Sequence, residues 1–213
     1  MGFRLWDHNH EGIKIQTDDD GFFHAASADL NKLRSKPIGR DLLAVLSKRC
    51  LAAKLDVEIV VPQGNEVLET IANTRAAVHD FANAVRTFQT LPGTNIQYPG
   101  KGSASRVSYN PSGDVHYAAI TGVQTPGFVV LGHELIHAWH LVSGNRKMGP
   151  SGDFWTRWNA MYMQEEALTV GLGPYVKTRI CENAIRHEWG LPLRTYYLTP
   201  NDCNGLPSLT GTS

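Results

Sequence analysis

The sequence has few cysteines, no excess of charge and no long apolar run. Its three cysteines, Cys50, Cys181 and Cys203, are widely separated and form no C-x-x-C pair, so we expect inert thiols in a reducing compartment rather than a disulfide framework. Twenty basic residues balance twenty acidic ones. The charge therefore gives no reason to expect nucleic acid or an anionic membrane as a partner.

The sequence also shows no pattern of a Sec signal peptide or of a transmembrane helix. Its N-terminal stretch MGFRLWDHNHEG contains no apolar run of signal-peptide length, and no stretch suits a transmembrane helix. We therefore expect no Sec signal peptide and no membrane insertion. A hydrophobic fraction of 42% in 213 residues predicts one globular domain. We place it at 29–200, between a polar, irregular segment at 1–28 and a tail at 201–213.

The spacing of apolar residues predicts an α+β fold. Apolar residues recur with helical spacing from Leu30 to Ala53, where Pro37 marks a helix start, and again over 66–89. A β-branched run predicts a strand at 57–61. Two short runs at 106–110 and 115–120, around a turn at 111–114, predict a hairpin. We expect a small sheet ahead of the next helix and a mostly helical C-terminal part.

That next helix carries the motif with the clearest chemistry. The stretch VVLGHELIHAWHLVSG, 129–144, places His133 and His137 four residues apart, with Glu134 directly after the first. At 3.6 residues per turn, the two imidazoles lie on one face and can converge on one metal ion, with Glu134 about 100° away. Thr125 and Pro126 suit the start of this helix. Gly144 suits its end.

A bland interpretation competes with the metal site, namely a hydrogen-bonded pair of core histidines. With nine His and nine Glu in the chain, a random His-Glu-x-x-His is expected only about one or two times in a hundred such sequences. The apolar faces of the helix also predict that it is buried, where unpaired polar groups are costly. His140 lies two turns after His133, and we interpret it as a packing or outer-shell residue.

Two histidines leave one protein ligand to find, because a catalytic zinc usually has three. One peptidase subclass is excluded, since His140 and Ser143 stand where its Gly and third His belong. Residues 154–169 are typical of a second helix and include the adjacent acids Glu165 and Glu166. The alternatives are that this pair forms a solvated acidic face and that Asp153 is the third ligand.

At this point the sequence resembles a known family. HELIHAWH, EEALTVG and ENAIRHEWGLPLRTYY, the last at 182–197, follow one another as in the NleD-like family of type III secreted zinc metallopeptidase effectors. More distantly, HELIHA, the E-E-x-x-T-x-G pattern and R-x-x-Y-L at 194–198 resemble the light chains of clostridial neurotoxins. The resemblance implies a single zincin-like metallopeptidase domain of the gluzincin type that binds one Zn²⁺ per chain.

The resemblance also implies roles for particular side chains. In it, three residues bind zinc, a glutamate acts as general base, a second glutamate lies in the outer shell, and an Arg and a Tyr contact the tetrahedral intermediate. In the order of these roles, the residues are His133, His137 and Glu166, then Glu134, then Glu165, and finally Arg194 and Tyr197. The stretch 186–188 offers further candidates.

The function that follows is a zinc endopeptidase, delivered by a type III system into the host cytoplasm as a monomer. The resemblance implies that it cleaves host MAP kinases in the activation loop. A zinc hydrolase of the same fold acting on a non-peptide bond is one alternative, because metal chemistry does not name the scissile bond. A noncatalytic domain with structural zinc is another, but an intact Glu134 beside the metal argues against it.

Overall fold

The structure, a computed structural model, describes residues 2–62, 69–72, 89–90, 97–100, 102–112, 125–146 and 164–195. Its strands are β1 (Phe3–Leu5), β2 (Ile13–Gln16), β3 (Val57–Val60), β4 (Glu69–Ala72), β5 (Gln89–Thr90), β6 (Gln97–Tyr98) and β7 (Ser105–Ser108). Its helices are α1 (Asp20–Arg34), α2 (Pro37–Ala53), α3 (Gly127–Val142), α4 (residues 164–170) and α5 (Glu182–Glu188). Short 3-10 turns span His8–His10 and Gly173–Tyr175. The predicted α+β fold is confirmed.

The described strands form a five-stranded sheet in the order β1-β2-β3-β7-β4, with a separate β5-β6 pair. β2, β3 and β7 run parallel, while β1 and β4 are antiparallel to their neighbours. Alternate side chains on the parallel strands share one face, as the two-residue period of a strand requires. Ile13, Ile15, Val57, Ile59 and Val107 on that face join the core formed with α1, α2 and α3.

The N-terminal segment is more ordered than its polar composition predicts. Residues 1–28 were expected to be irregular, yet they contain β1, β2 and the first part of α1. The three consecutive aspartates, 18–20, are exposed, as a solvated stretch would be, but each makes an ordered contact. Asp18 accepts a hydrogen bond from the amide of Gly2, Asp19 caps α1, and Asp20 pairs with Arg4 at 2.6 Å. Polar residues here satisfy helix and strand ends, which apolar periodicity does not detect.

Two other predictions need correction. The helix expected over 66–89 is wrong at Glu69–Ala72, where β4 pairs antiparallel with β7. The rest of that range, up to Phe88, lies outside the described residues. The hairpin predicted from 106–110 is wrong in its pairing, because over Ser105–Ser108 both edges of β7 are occupied by β3 and β4. Its second strand, at 115–120, falls in a part of the chain that is not described.

The predictions for α2, β3 and α3 are confirmed. α2 begins at Pro37, β3 covers Val57–Val60, and α3 spans Gly127–Val142 with nearly every residue buried. α3 packs against α1, α2, α5 and the strands β4 and β7. Its end is set by Gly144, whose φ of +68° suits glycine and whose added Cβ would lie 2.2 Å from the carbonyl oxygen of Gly100. This packing fixes the histidine motif in the core.

Two remaining expectations concern the thiols and the membrane. Cys50 and Cys181 are free and buried, and burial raises the pKa of the Cys50 thiol to about 12, so neither is an activated nucleophile. Cys203 lies outside the described residues. Among the described helices, none combines the length and apolar character needed to cross a membrane.

Candidate metal centre

Three side chains from two helices meet at one point. His133 and His137 of α3 lie with their Nε2 atoms 3.1 Å apart. Glu166 of α4 places one carboxylate oxygen 3.2 Å from Nε2 of His133 and the other 3.2 Å from Nε2 of His137. All three residues are buried. Two residues one turn apart on α3 and one residue of α4 therefore bring three donor atoms together.

The distances between these donors fit a zinc ion. Ligands 2.0–2.1 Å from zinc at the tetrahedral angle lie about 3.3–3.4 Å from one another, close to the 3.1–3.2 Å found here. Calcium prefers six to eight oxygen ligands at longer distances, which two imidazoles do not provide. A simple pair of core histidines also gives no reason for a carboxylate to lie equally close to both rings. The donor set is suited to zinc.

A second carboxylate lies behind His137. Glu165, the residue before the proposed ligand, places Oε1 3.0 Å from Nδ1 of His137 and 2.7 Å from Nδ1 of His140. The hydroxyl of Thr169, one turn further along α4, lies 3.2 Å from Nδ1 of His137. Because a carboxylate only accepts hydrogen bonds, Nδ1 of His137 is the donor, which leaves Nε2 to face the metal position.

A third carboxylate lies behind His133. Glu182 of α5 accepts a hydrogen bond from Nδ1 of His133 at 2.8 Å through Oε2. Its other oxygen accepts from Nε of Arg186 at 2.6 Å, and Arg194 donates to Oε2 at 3.0 Å. Arg186 also reaches the hydroxyl of Thr125 and the carbonyl oxygen of Pro192. Each of the two imidazoles thus has a carboxylate on its Nδ1 side, an arrangement that is usual for metal-bound imidazoles.

The electrostatics of the cluster favour a cation at its centre. Burial alone would lower the pKa of His133 and His137, but the surrounding carboxylates outweigh it and raise these pKa values to about 10 and about 9. Burial conversely favours the neutral carboxyls, yet the histidines and arginines lower the pKa of Glu165, Glu166 and Glu182. Protons on the imidazoles and a bound divalent cation would both balance the negative charge of these carboxylates. Protonation of the histidines therefore competes with metal binding.

The other predicted residues are placed as follows. Glu134 is buried on α3, directly after His133. Glu165 and Glu166 are 1% and 3% exposed, so the alternative of a solvated acidic face is wrong. Tyr197 and Asp153 lie outside the described residues, and only part of the predicted 154–169 helix, from residue 164, is described and helical. The ligand and base roles remain predictions, but the structure brings the side chains of the three predicted ligands to one place.

Arg194 lies behind the cluster. Asn183 of α5 holds its backbone through two hydrogen bonds, at 2.8 and 2.9 Å, and Glu182 accepts from its guanidinium group. A side chain that is 10% exposed is not an ordinary surface residue. Of the stretch 186–188, only Arg186 joins the cluster. His187 is exposed, and the carboxylate of Glu188 accepts from the amide of Ile38 at the start of α2.

The sequence pattern assigned no role to Glu182 or Thr169, and it left Arg186 only among the further candidates at 186–188. Glu182 and Arg186 form an i,i+4 pair on α5, a spacing that usually indicates an exposed helix salt bridge. A useful indication was available in the neighbouring residues, because Cys181 and Ile185 are apolar and an acid between them is expensive to bury unless it is paired. Thr169 lies one turn after Glu165 on the same helix face, which would have linked it to the same histidine.

Two comparisons with known proteins bear on which family the chain belongs to. No curated protein matches the chain. The model of the Peptidase M91 family, described as effector proteins, matches residues 9–197. The match contains α3, α4 and α5 with all the histidines and carboxylates described above. It also begins within the N-terminal segment that the sequence alone left outside the domain. The chain therefore belongs to the Peptidase M91 family of effector proteins.

Proposed function

We propose that this protein is a zinc-dependent endopeptidase that is injected into host cells and cleaves a host signalling protein. The observation that carries the proposal is the spacing of His133, His137 and Glu166, three donors 3.1–3.2 Å apart with Glu134 adjacent in the motif. Three protein ligands are typical of a catalytic zinc, which keeps its fourth position for water or substrate. Membership of a peptidase effector family supports the same reaction.

The chemistry divides between the metal and the protein. A bound zinc lowers the pKa of water and polarises the scissile carbonyl. Glu134 is proposed to take the proton from the attacking water and to deliver it to the leaving amine, since its carboxylate follows a ligand histidine on the same helix. Glu165 and Glu182 keep the imidazole rings in the orientation that points Nε2 at the metal.

Arg194 and Tyr197 are proposed to contact the tetrahedral intermediate, as the neurotoxin resemblance implies. Arg and Tyr supply hydrogen-bond donors suited to an oxyanion. Glu182 accepts from Nη1 of Arg194, which places this arginine one side chain away from His133. The support for Arg194 is therefore its position beside a proposed ligand, while Tyr197 rests on the resemblance alone.

The substrate is proposed to bind as an extended strand. Within the described residues β4 is the last strand of the sheet and contacts α3, so its free edge would present backbone groups beside the motif helix. For the host partner we retain the MAP kinase activation loop that the family resemblance implies. We further propose type III secretion and a monomeric state.

Zinc content and cleavage provide the test. Wild-type protein, Glu134→Gln and the control Glu11→Gln, whose side chain is exposed, would be incubated with host lysate and new protein N-termini mapped. Glu134→Gln should keep one zinc per chain while turnover falls by about 100-fold or more, because it removes the base but no ligand. The control should match the wild type.

The possible outcomes distinguish the proposed endopeptidase from its alternatives. New N-termini within an activation loop of a MAP kinase support the full proposal. Cleavage of a different protein keeps the endopeptidase but overturns the substrate. One bound zinc without any new N-terminus favours hydrolysis of a non-peptide bond. Zinc lost together with activity in Glu134→Gln means that Glu134 is structural, which overturns the mechanism.

A further inference from the structure

The motif helix carries a third histidine that the proposed reaction does not use. His140 lies on α3 three residues after His137 and is 5% exposed. Its Nδ1 is 2.7 Å from Oε1 of Glu165, and the same oxygen is 3.0 Å from Nδ1 of His137. One carboxylate oxygen of Glu165 therefore accepts hydrogen bonds from two rings of the same helix.

This contact bears on which of two adjacent acids binds the metal. Glu165 and Glu166 are both buried beside the histidines, and either carboxylate is chemically suited to zinc. Neighbouring residues on a helix point about 100° apart, which favours one of them but leaves a flexible glutamate side chain free to turn. Two ring donors on Oε1 of Glu165 fix that side chain behind His137. Glu166 is then left to complete the ligand set.

We propose that His140 is a positioning residue, which holds Glu165 as the acceptor of His137 and so keeps Glu166 as the carboxylate ligand. The inference rests on the proposed metal site, but not on the identity of the substrate. In this proposal the ring of His140 donates a hydrogen bond through Nδ1, and it affects metal binding only through Glu165 and His137.

The same three residues also offer the geometry of a second metal site. His137, His140 and Glu165 have ligand atoms within 4.8 Å of one another. If zinc occupies both clusters, the ring of His137 must bind one ion through Nε2 and another through Nδ1, and it must therefore lose its last ring proton. It would also hold two divalent charges only one imidazole apart. A hydrogen-bonding role for Nδ1 avoids both costs.

A matched pair of variants tests the proposal. In His140→Asn the amide nitrogen takes about the position of Nδ1 and keeps a donor, whereas His140→Leu has nearly the shape of Asn without any donor. Zinc affinity would be measured against a competing chelator. We expect His140→Leu to bind zinc about 10-fold more weakly, at the lower end of the effect of outer-shell partners. His140→Asn should stay within about 3-fold of wild type.

A double-mutant cycle identifies the route of the effect. In a Glu165→Gln background, His140→Leu should change zinc affinity by less than about 2-fold, since the residue through which it acts has already been altered. Equal losses in both backgrounds would show that His140 acts otherwise. Equal losses in the Asn and Leu variants would show that packing, rather than the donor, matters. Either result overturns the proposal.

One measurement needs no substitution. In zinc-loaded wild type, long-range proton–nitrogen NMR should show His140 and His137 protonated at Nδ1, with Nε2 of His137 bound to metal. An unprotonated Nδ1 on His140, or two zinc ions per chain, overturns the positioning role. Wild type that binds no zinc refutes the proposed function as well. One zinc per chain with unaltered affinity in His140→Leu refutes the positioning role alone.

Discussion

His133 and His137 both donate through Nδ1 to a buried carboxylate, but the two carboxylates are held by different kinds of side chain. Behind His133, Glu182 is bound by two arginines, and we call it the arginine-backed carboxylate. Behind His137, Glu165 is bound by a further histidine, and we call it the histidine-backed carboxylate. A guanidinium group remains charged at any ordinary pH, whereas an imidazole can give up its proton.

The two sides also differ in what they connect. The arginine-backed carboxylate joins α3 to α5 and, through Arg186, to Thr125 and the carbonyl of Pro192. The two histidines that donate to the histidine-backed carboxylate in the described part of the chain both belong to α3. We infer that the first side holds separate segments of the fold together around the metal centre. The second side arranges ligands within one pair of helices.

The largest expected effect comes from Glu182→Gln. Removing the carboxylate charge leaves two buried guanidinium groups that cannot lose their own charge. Breaking a buried ion pair in this way costs about 3–5 kcal/mol. Urea unfolding of the metal-free protein measures the loss. Glu188→Gln on the same helix is the matched control, because Glu188 accepts from the amide of Ile38 and the amide oxygen of Gln can still accept this cap-like bond, so the loss should stay below about 1 kcal/mol.

Glu165→Gln should cost less unfolding free energy than Glu182→Gln, because the imidazoles around it can lose their protons once the carboxylate charge is gone. Equal losses from the two substitutions would mean that burial alone, rather than the type of partner, sets the cost. In that case the distinction between the two carboxylates disappears.

How far the sequence predicts this molecule depends on the kind of interaction. The motif helix follows from local geometry, since a four-residue spacing fixes which side chains share a face. The pair of acids after it was expected beside the metal because they stand among apolar residues. Glu182 could not be paired with His133 in the same way. They are 49 residues apart, and only the packing of α5 on α3 brings them together.

Strand assignments failed for a related reason. Ile71 belongs to an apolar series with helical spacing, but it lies in β4 opposite Arg106 of β7. Short apolar runs fit a helix and a strand equally well, and the partner strand decides between them. β7 was recognised as a strand, but its neighbours β3 and β4 replace the expected local hairpin. Sequence periodicity does not contain that long-range choice.

The second largest effect separates the adjacent acids of α4. Glu166→Gln removes a proposed ligand and should weaken zinc binding by more than about 100-fold, beyond the range of outer-shell changes. Glu165→Gln should weaken it by about 10- to 100-fold. Titration against a competing chelator measures both. A larger loss in Glu165→Gln would reverse the two roles, and no loss in either would direct attention to Asp153.

The smallest expected effects come from one threonine on each side of the centre. Thr169 places its hydroxyl 3.2 Å from Nδ1 of His137, while Thr125 accepts from Arg186 at 2.9 Å. Valine keeps the approximate shape of threonine and removes the hydroxyl. Thr169→Val should weaken zinc binding by about 2- to 5-fold, the value of an ordinary hydrogen bond, and leave the unfolding of the metal-free protein nearly unchanged.

Thr125→Val should show the opposite pattern. It deprives a buried guanidinium group of one acceptor, so the free energy of unfolding should fall by about 1.5 kcal/mol, with zinc affinity within about 2-fold of wild type. Chelator titration and urea unfolding of both variants provide the comparison, and Thr169→Ser, which keeps a hydroxyl, serves as control. If Thr125→Val weakens zinc binding as much as Thr169→Val, the arginine side tunes the ligand as directly as the histidine side does, and their functions are not separate.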